Sequence, residues 1–346
     1  MFNKRISLNG GLLTIGLDIG YGVTKAVTNE QVVTFPSVCG HAREIKFRAD
    51  ELAAKYPGDQ ITDDDGNWFV GDLALGQLPP GELLRLRGRT VDEVHISNVF
   101  RVRLAKVAIG KLLSGVQHGE VVHIHISTGL PVDHMRDAAD LKAALIGQHL
   151  IQTDMTEVVA NISEVMVMPQ PYGSLYAQTL TPSGDINPNH SFIRTGVCDV
   201  GTYTVDLALD DDGVYVDAES GSVESGVYTA QERIAAVLER DCRQKLPFKI
   251  VEETLRTGHA RISGEDVDYS AEVREALEPL RSATISLMSE KWKAGKTVDV
   301  IYLSGGGAEL VKEVVMGAYK QTQLVKNPQI ANACGYLSYA YFQAQE

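Results

Sequence analysis

An α/β protein built on a duplicated domain is what the sequence predicts, on three observations. A strand, Asp-x-Gly turn and strand pattern occurs twice. Strand-like runs alternate with helix-period runs along much of the chain. The 346 residues suit two domains of ordinary size. The first copy of the pattern is Leu13-Thr-Ile-Gly-Leu-Asp18-Ile-Gly20-Tyr-Gly-Val-Thr-Lys-Ala-Val27, and the second is Thr195-Gly-Val-Cys-Asp199-Val-Gly201-Thr-Tyr-Thr-Val-Asp-Leu-Ala-Leu209. In each, a β-rich run ends at Asp, a glycine turn follows, and a run rich in Val, Thr and Leu leads to a further turn at Asn29-Glu30 or at Asp210–Gly213. Third strands are expected at Gln31–Phe35 and Val214–Ala218, making two three-stranded meanders.

Helical periodicity fills the intervals. Val99, Phe100, Leu104, Val107, Ala108 and Leu112 form one apolar stripe. Ile234, Val237 and Leu238, and then Val273, Leu277 and Leu280, form others, and all read as core faces. Further strands are expected at Val121–Ser127, Ser163–Met168 and Val298–Leu303, each after helical sequence. Segment 37–90 breaks the alternation with an Asp65-Gly66 hairpin turn before Trp68 and with Pro79-Pro80-Gly81, and reads as an inserted subdomain. A second, mostly helical insertion spans about 226–296. The last helix begins after Asn327-Pro328 and carries Ile330, Ala333, Cys334, Leu337 and Tyr341 on one side. The domain plan is domain I over 1–190, domain II over 191–330, and a C-terminal helix over 331–346 that packs back on domain I.

Composition narrows the functions. Lys and Arg number 32 against 45 Asp and Glu, a net charge of −13 that repels phosphate backbones and anionic bilayers. No apolar run approaches the roughly 18 residues that span a bilayer. Gly10, Gly11, Thr14, Gly16 and Asp18 break up the apolar stretch after Lys4 and Arg5, which argues against a secretory signal. A cytoplasmic protein with no direct nucleic-acid or membrane partner is expected. Cys39, Cys198, Cys242 and Cys334 lie far apart with no C-x-x-C pair and read as isolated core thiols.

The glycine turns carry the chemistry. Backbone N–H groups can converge on an anion where no Cβ blocks approach, and an Asp at the strand end can hold hydrated Mg²⁺ beside phosphates. Lys25, seven positions after Asp18, could reach a phosphate as a point charge. Alone it reads equally as a solvated strand lysine; beside Asp18-x-Gly20-x-Gly22 the phosphate role is favoured. A third element, Ser304-Gly305-Gly306-Gly307, leads from a buried strand into a helix and suits bare backbone against a flat or charged ligand. Other readings fail. Gly295-Lys296-Thr297 lacks the upstream P-loop glycine, because Glu290 stands there, and reads as a turn. Gly20-x-Gly22-x-x-Lys25 continues into β-branched sequence rather than a helix, which disfavours dinucleotide binding. Asp63–Gly66 lacks the alternation and the twelfth-position Glu of a calcium loop. His123 and His125 share a strand face without a third ligand and read as packed histidines.

In order and spacing, the three glycine elements resemble the actin-type ATPase superfamily, which includes actin, sugar kinases and heat-shock chaperone ATPases. The resemblance covers almost the whole chain. Asp18-x-Gly20-x-Gly22-x-x-Lys25 is similar to the first phosphate element, Asp199-x-Gly201-Thr202 to the second, and Leu303–Leu310 to the adenosine element. Thr128-Gly-Leu-Pro131, Val167-Met-Pro169-Gln170-Pro-Tyr-Gly, Gly221–Val227 and Ala331-Asn332-Ala-Cys-Gly335-Tyr resemble the plasmid-segregating ParM/StbA branch, and archaeal and phage actin-like proteins share them. The resemblance implies duplicated actin/ribonuclease-H-like domains, each with an inserted subdomain, hinged around a nucleotide cleft for ATP or ADP with Mg²⁺. By position it implies that Asp18 and Asp199 hold the metal through water. Lys25 and the turns at Gly20, Tyr21, Gly22, Gly201, Thr202 and Tyr203 would hold phosphates, and Gly305, Gly306 and Gly307 would face the adenosine.

Gln170, with Asp199, falls where the family places its hydrolytic residues. An amide is not a base, so Gln170 would orient the attacking water rather than deprotonate it. The ParM branch usually has Glu at this position and actin has Gln, which bears on the hydrolysis rate. Gln170 alone also reads as a loop amide bonded to backbone. Tyr21 and Tyr203 depart from the small residues of the family and cannot reproduce a short serine contact to a γ-phosphate. The implied activity is nucleotide-dependent, filament-forming ATP hydrolysis of the cytoskeletal, DNA- or plasmid-segregating kind, with the chain as its own head-to-tail partner and an adaptor to cargo. A sugar or small-metabolite kinase of the same superfamily is the alternative. A monomeric ATP-dependent regulator is a third reading, against which no substrate-binding domain is seen after the final helix.

Overall fold

The computed structural model describes residues 11–86, 93–116 and 119–345. They group into two compact units. The first runs to Leu130, from His134 to Asn189 and from Asn332 onward; the second comprises Pro131–Asp133 and His190–Ala331.

The first unit contains β1 (Leu12–Ile19), β2 (Val23–Val27), β3 (Val32–Pro36), β4 (Val38–His41), α1 (Ala49–Lys55), β5 (Gln60–Asp63), β6 (Gly66–Val70), α2 (Gly71–Gln77), β7 (Leu84–Arg85), α3 (Glu93–Leu112), β8 (Val121–Leu130), α4 (Ala138–Leu145), β9 (Gly147–Thr153), β10 (Glu157–Pro169) and α5 (Gln170–Thr179). Its sheet is ordered β3-β2-β1-β8-β10-β9-β5-β6-β4-β7. β1 to β3 form the expected antiparallel meander, while β1, β8 and β10 run parallel. Leu13, Ile15 and Leu17 alternate into the core, where Phe100, Leu104, Val107, Ala108 and Leu112 of α3 meet them. Burying one such leucine is worth about 1.5–3 kcal/mol. Val99, expected in the same stripe, is 36% exposed. At 100° per residue it lies roughly 150° from the centre of that stripe, on the opposite face.

Two other expectations need correction in this unit. Ser163–Met168 does not follow a helix. It is the second half of β10, which pairs antiparallel with β9 over its first half. A bulge between Ile162 and Glu164 resets the alternation, so the sequence shows two short phases instead of one 13-residue strand. Residues 87–90 lie outside the described ones; the rest of segment 37–90 joins the main sheet, because β5 pairs with β9. It adds a small core of its own from Val38, Phe69, Leu73, Ala74 and Leu78. His123 is exposed rather than packed and bonds Asn161 Nδ2, while half-buried His125 lies 3.3 Å from Glu164.

The second unit contains β11 (Arg194–Val200), β12 (Val205–Asp211), β13 (Val214–Tyr215), β14 (Gly221–Val223), α6 (Val227–Cys242), α7 (Phe248–Thr257), β15 (His259–Ile262), β16 (Glu265–Asp268), α8 (Ser270–Trp292), β17 (Val300–Ser304), α9 (Ala308–Ala318) and β18 (Thr322–Leu324). Its sheet runs β13-β12-β11-β17-β18, with β14 also on β12. The third strand is shorter than Val214–Ala218: the chain turns at Asp217–Glu219 and rejoins β12 as β14. The helical insertion also holds the hairpin β15–β16. An antiparallel hairpin followed by a parallel strand, β2-β1-β8, recurs here as β12-β11-β17. Even the register repeats, with Asp18 opposite Lys25 and Asp199 opposite Asp206. Cys39 and Cys198 are buried core thiols, whereas Cys242 and Cys334 are only half-buried.

The last helix, α10 (Ala331–Gln343), counts with the first unit from Asn332 onward. Backbone lies against backbone or against a buried tyrosine along it, and only glycine fits. A Cβ on Gly16 of β1 would collide with the Ala333 carbonyl, one on Gly129 of β8 with the Tyr336 hydroxyl, and one on Gly335 with the Gly173 carbonyl of α5. Ala333 and Leu337 complete the contact against Val27. No helix among the described residues is long and apolar enough to cross a membrane. Gly335→Ala is expected to lower the urea midpoint by an amount corresponding to about 1–3 kcal/mol or more, because backbone cannot move aside as a side-chain end can. Gly81→Ala, where an added Cβ meets nothing within 4 Å, serves as the silent control.

Candidate functional site

In the first unit the hairpin from β1 to β2 places Asp18 at a strand end, 1% exposed, with Lys25 directly opposite. Lys25 Nζ donates to Asp18 Oδ2 at 2.8 Å. The lysine is therefore not a solvated strand residue: its side chain is 11% exposed. Gln170 reaches the same carboxylate from far along the chain, its Nε2 donating to Asp18 Oδ1 at 2.8 Å. It is not a loop amide on backbone either. It opens α5, with Pro169 as the N-cap and Pro171 in the first turn, where a missing N–H costs no helical bond. The two prolines fix where the helix starts and so where this amide stands. Because a carboxylate oxygen only accepts, the amide must present Nε2 to Asp18, and Oε1 is its acceptor end.

The turn between these strands is partly exposed at Gly20, Tyr21 and Gly22. A Cβ on Gly20 would stand 3.1 Å from Lys25 Nζ, so the lysine folds over bare backbone. The Tyr21 ring packs against the core, and its hydroxyl lies 3.4 Å from His134 Nδ1.

The second unit repeats the hairpin with a different occupant. Asp199 is 5% exposed at the end of β11. Gly201 N–H donates to Thr204 O at 2.8 Å, and the N-terminus of α6 donates to the turn, from Val227 N to Gly201 O and from Tyr228 N to Thr202 O. Tyr203 stacks at a tilt on Tyr228, 4.7 Å between centroids. Two of the three later glycines serve packing. Gly305, at φ 89°, would drive a Cβ into Asp199 Oδ1, and Gly307 would place one 2.6 Å from side-chain carbons of Val200 and Val227. Their N–H groups are also engaged, Gly305 on Pro328 O and Gly307 on Val200 O. Gly306 is exposed, with nothing within 4 Å of its Cβ position.

Asp206 was not singled out by the sequence reading. Where the first hairpin has Lys25 opposite its Asp, the second has this carboxylate opposite Asp199. The common seven-residue spacing was the signal that could have found it. Asp206 accepts from Thr204 Oγ1 at 2.6 Å, from Ser222 Oγ, and from Val132 N at 3.4 Å. Burial pushes its carboxyl above the usual range, those three donors pull it down, and Asp133 pushes it up again.

Two units that each carry an antiparallel meander, a strand-end Asp, a glycine turn and a parallel strand define the two-domain actin-type fold. A profile of the N-terminal domain of actin-like proteins matches residues 16–173, and one of the C-terminal part of the archaeal actin homologue MreB-like group matches residues 197–317. The chain is thus an actin-like protein. Solved structures share the fold. A 15-stranded ParM filament from Clostridium botulinum has 22% identity and a TM-score of 0.75, over 94% of this chain and 98% of that one. An archaeal actin homologue in complex with ADP has 19% identity and a TM-score of 0.73, over 95% and 99%. A Bacillus thuringiensis ParM with ADP has 16% identity and a TM-score of 0.66, over 97% and 100%. Among curated proteins, none matches this sequence significantly.

The Asp206 environment sets a pH dependence. Its folded-state pKa is raised, so its stabilising contribution is present below the unfolded value, about 3.9, and is lost as pH rises through the folded value. Asp206→Asn, uncharged throughout, should therefore gain on the wild type in urea midpoint as pH rises above about 4. A gap that does not change with pH would mean an ordinary carboxylate.

Proposed function

We propose that this chain is a nucleotide-dependent, filament-forming actin-like ATPase. The observation that carries the reading is the convergence of Lys25 and Gln170 on buried Asp18 beside a glycine turn. The donor set fits a magnesium nucleotide. Lys25 supplies a cation over unobstructed backbone, and the described residues contain no group of three or more His, Cys, Asp or Glu that would strip and ligate a bare ion. Mg²⁺ keeps most of its water and needs only one or two carboxylates. Asp18 in the first unit and Asp199 in the second are the residues for that water shell. Lys25 and the turns Gly20-Tyr21-Gly22 and Gly201-Thr202-Tyr203 are the residues for phosphate oxygens, and the Gly305-Gly306-Gly307 turn, exposed at Gly306, is for the nucleoside. Bound Mg²⁺ would supply charge neutralisation at the phosphoryl oxygens. Gln170 orients the attacking water through Oε1 while Nε2 stays on Asp18, and takes no proton. The Tyr21 hydroxyl, turned toward His134, is not placed as a short serine contact would be.

Assembly follows from linkage. A nucleotide drives polymerisation only as far as it binds the assembly-competent conformation better than the other. We place the protein in the cytoplasm as a head-to-tail filament of the DNA- or plasmid-segregating kind, coupled to cargo by an adaptor; the sequence offers no direct nucleic-acid or membrane partner.

Asp199→Ala should abolish hydrolysis in a protein that stays folded, a loss on the order of a hundredfold or more in turnover. Wild-type turnover would remove Asp199 from the site. Gln170→Ala should leave ATP affinity within a few-fold while slowing phosphate release, since it removes positioning and not binding; a collapse of affinity would make Gln170 a binding residue. The critical concentration, by sedimentation, should be lower in ATP or a slowly hydrolysed analogue than in ADP. With −13 per subunit it should also fall as salt rises from very low to physiological levels. Equal values in both nucleotides would remove the switch. No sedimentable polymer with hydrolysis intact would turn the reading to a small-metabolite kinase, tested by a search for phosphorylated sugars.

A further inference from the structure

While Asp18 holds the Gln170 side chain, the C-terminal helix holds its backbone. Tyr336 of α10 is completely buried, and its hydroxyl donates to the backbone carbonyl of Gln170 at 3.2 Å. Buried tyrosine hydroxyls find partners, so a bond there is ordinary; the identity of this partner is not. The ring enters a slot that two glycines keep open. A side chain on Gly129 would strike the hydroxyl, and one on Gly173 would stand 2.6 Å from the ring edge. One turn further along α5, Ser174 Oγ donates to Asn332 Oδ1 at 2.6 Å, both residues buried. The same helix lies on β1 at Gly16, two residues before Asp18. One rigid element therefore sets the height of the Asp18 strand end and the start of the helix that carries Gln170.

We infer that Tyr336 is a positioning residue: its hydroxyl, acting on the Gln170 carbonyl, holds the Gln170 amide in the orientation that hydrolysis requires. This rests on the reading of Gln170 as the residue that orients the attacking water. A water held by one amide acceptor is sensitive to sub-ångström displacement, whereas nucleotide binding, distributed over lysine and backbone contacts, is not.

Tyr336→Phe removes the hydroxyl and keeps the ring in its slot. It is expected to lower the turnover number for ATP about fivefold or more, the scale of one lost hydrogen bond, with nucleotide KM within twofold. Introduced into Gln170→Ala, it should lower turnover no further, because the group it positions is gone. Asn332→Ala, which unties the same helix pair at Ser174, should reproduce the pattern, with thermal melting of each variant measured alongside. Turnover of Tyr336→Phe within twofold of wild type would overturn the inference. So would a loss that multiplies with Gln170→Ala, since that marks a general loosening of the fold. If Gln170→Ala itself hydrolyses at the wild-type rate, the underlying reading of Gln170 falls; if it is slow while Tyr336→Phe is not, only the positioning role falls.

Discussion

Burying a carboxylate as deeply as Asp18 costs free energy unless its charge is matched, and much of the first unit supplies the match. One oxygen takes Lys25 and the other takes Gln170, each at 2.8 Å. Removing one partner of such a pair typically costs about 3–5 kcal/mol, because the other is left uncompensated. Lys25 is delivered by hairpin register, Gln170 by a helix start fixed between two prolines, and Asp18 by a strand pressed under the last helix at Gly16. The structure thus holds a charged cluster at the rim of a glycine turn; in the proposed function a phosphate chain with its metal would enter there by exchanging partners.

The duplication shows how one backbone scheme was given two chemistries. The hairpin, its seven-residue spacing and its cross-strand register recur in both units, yet the residue facing the strand-end Asp is Lys25 in one and Asp206 in the other. The first hairpin satisfies its own charge. The second sets two carboxylates across the ladder, and hydroxyls of Thr204 and Ser222 satisfy Asp206 instead. Gly305 closes against Asp199 at a backbone angle that side chains rarely adopt, so this turn is shaped by packing as much as by any ligand.

Much of this was legible in the sequence because it is local. The Asp-Gly hairpins, the stripe of Leu104, Val107, Ala108 and Leu112, and the strand into Gly305 all declare themselves through short-range period and turn chemistry. What was not legible is long-range. The bulge after Ile162 broke one strand into two apparent phases, and the pairing of β5 with β9, which joins segment 37–90 to the main sheet, leaves no mark in composition. Lys25 and Gln170 each admitted a bland reading until their meeting on Asp18 was seen. Tyr336 stood only as the end of a motif and Asp206 only inside a strand, because a buried tyrosine and a strand aspartate are ordinary until their partners are known.

The most direct measurement is a titration of ATP with Mg²⁺ into the wild type and into the double variant Asp18→Asn, Lys25→Met. Neutralising both members of a buried pair together is commonly close to neutral for stability, so this swap separates the chemistry of the cluster from the folding of the chain. The expected result is a protein that melts near the wild-type temperature and binds the nucleotide at least about tenfold more weakly, from the loss of a phosphate-facing cation and a metal-water anchor. Unchanged affinity in the folded double variant would contradict the assignment of this cluster to the nucleotide.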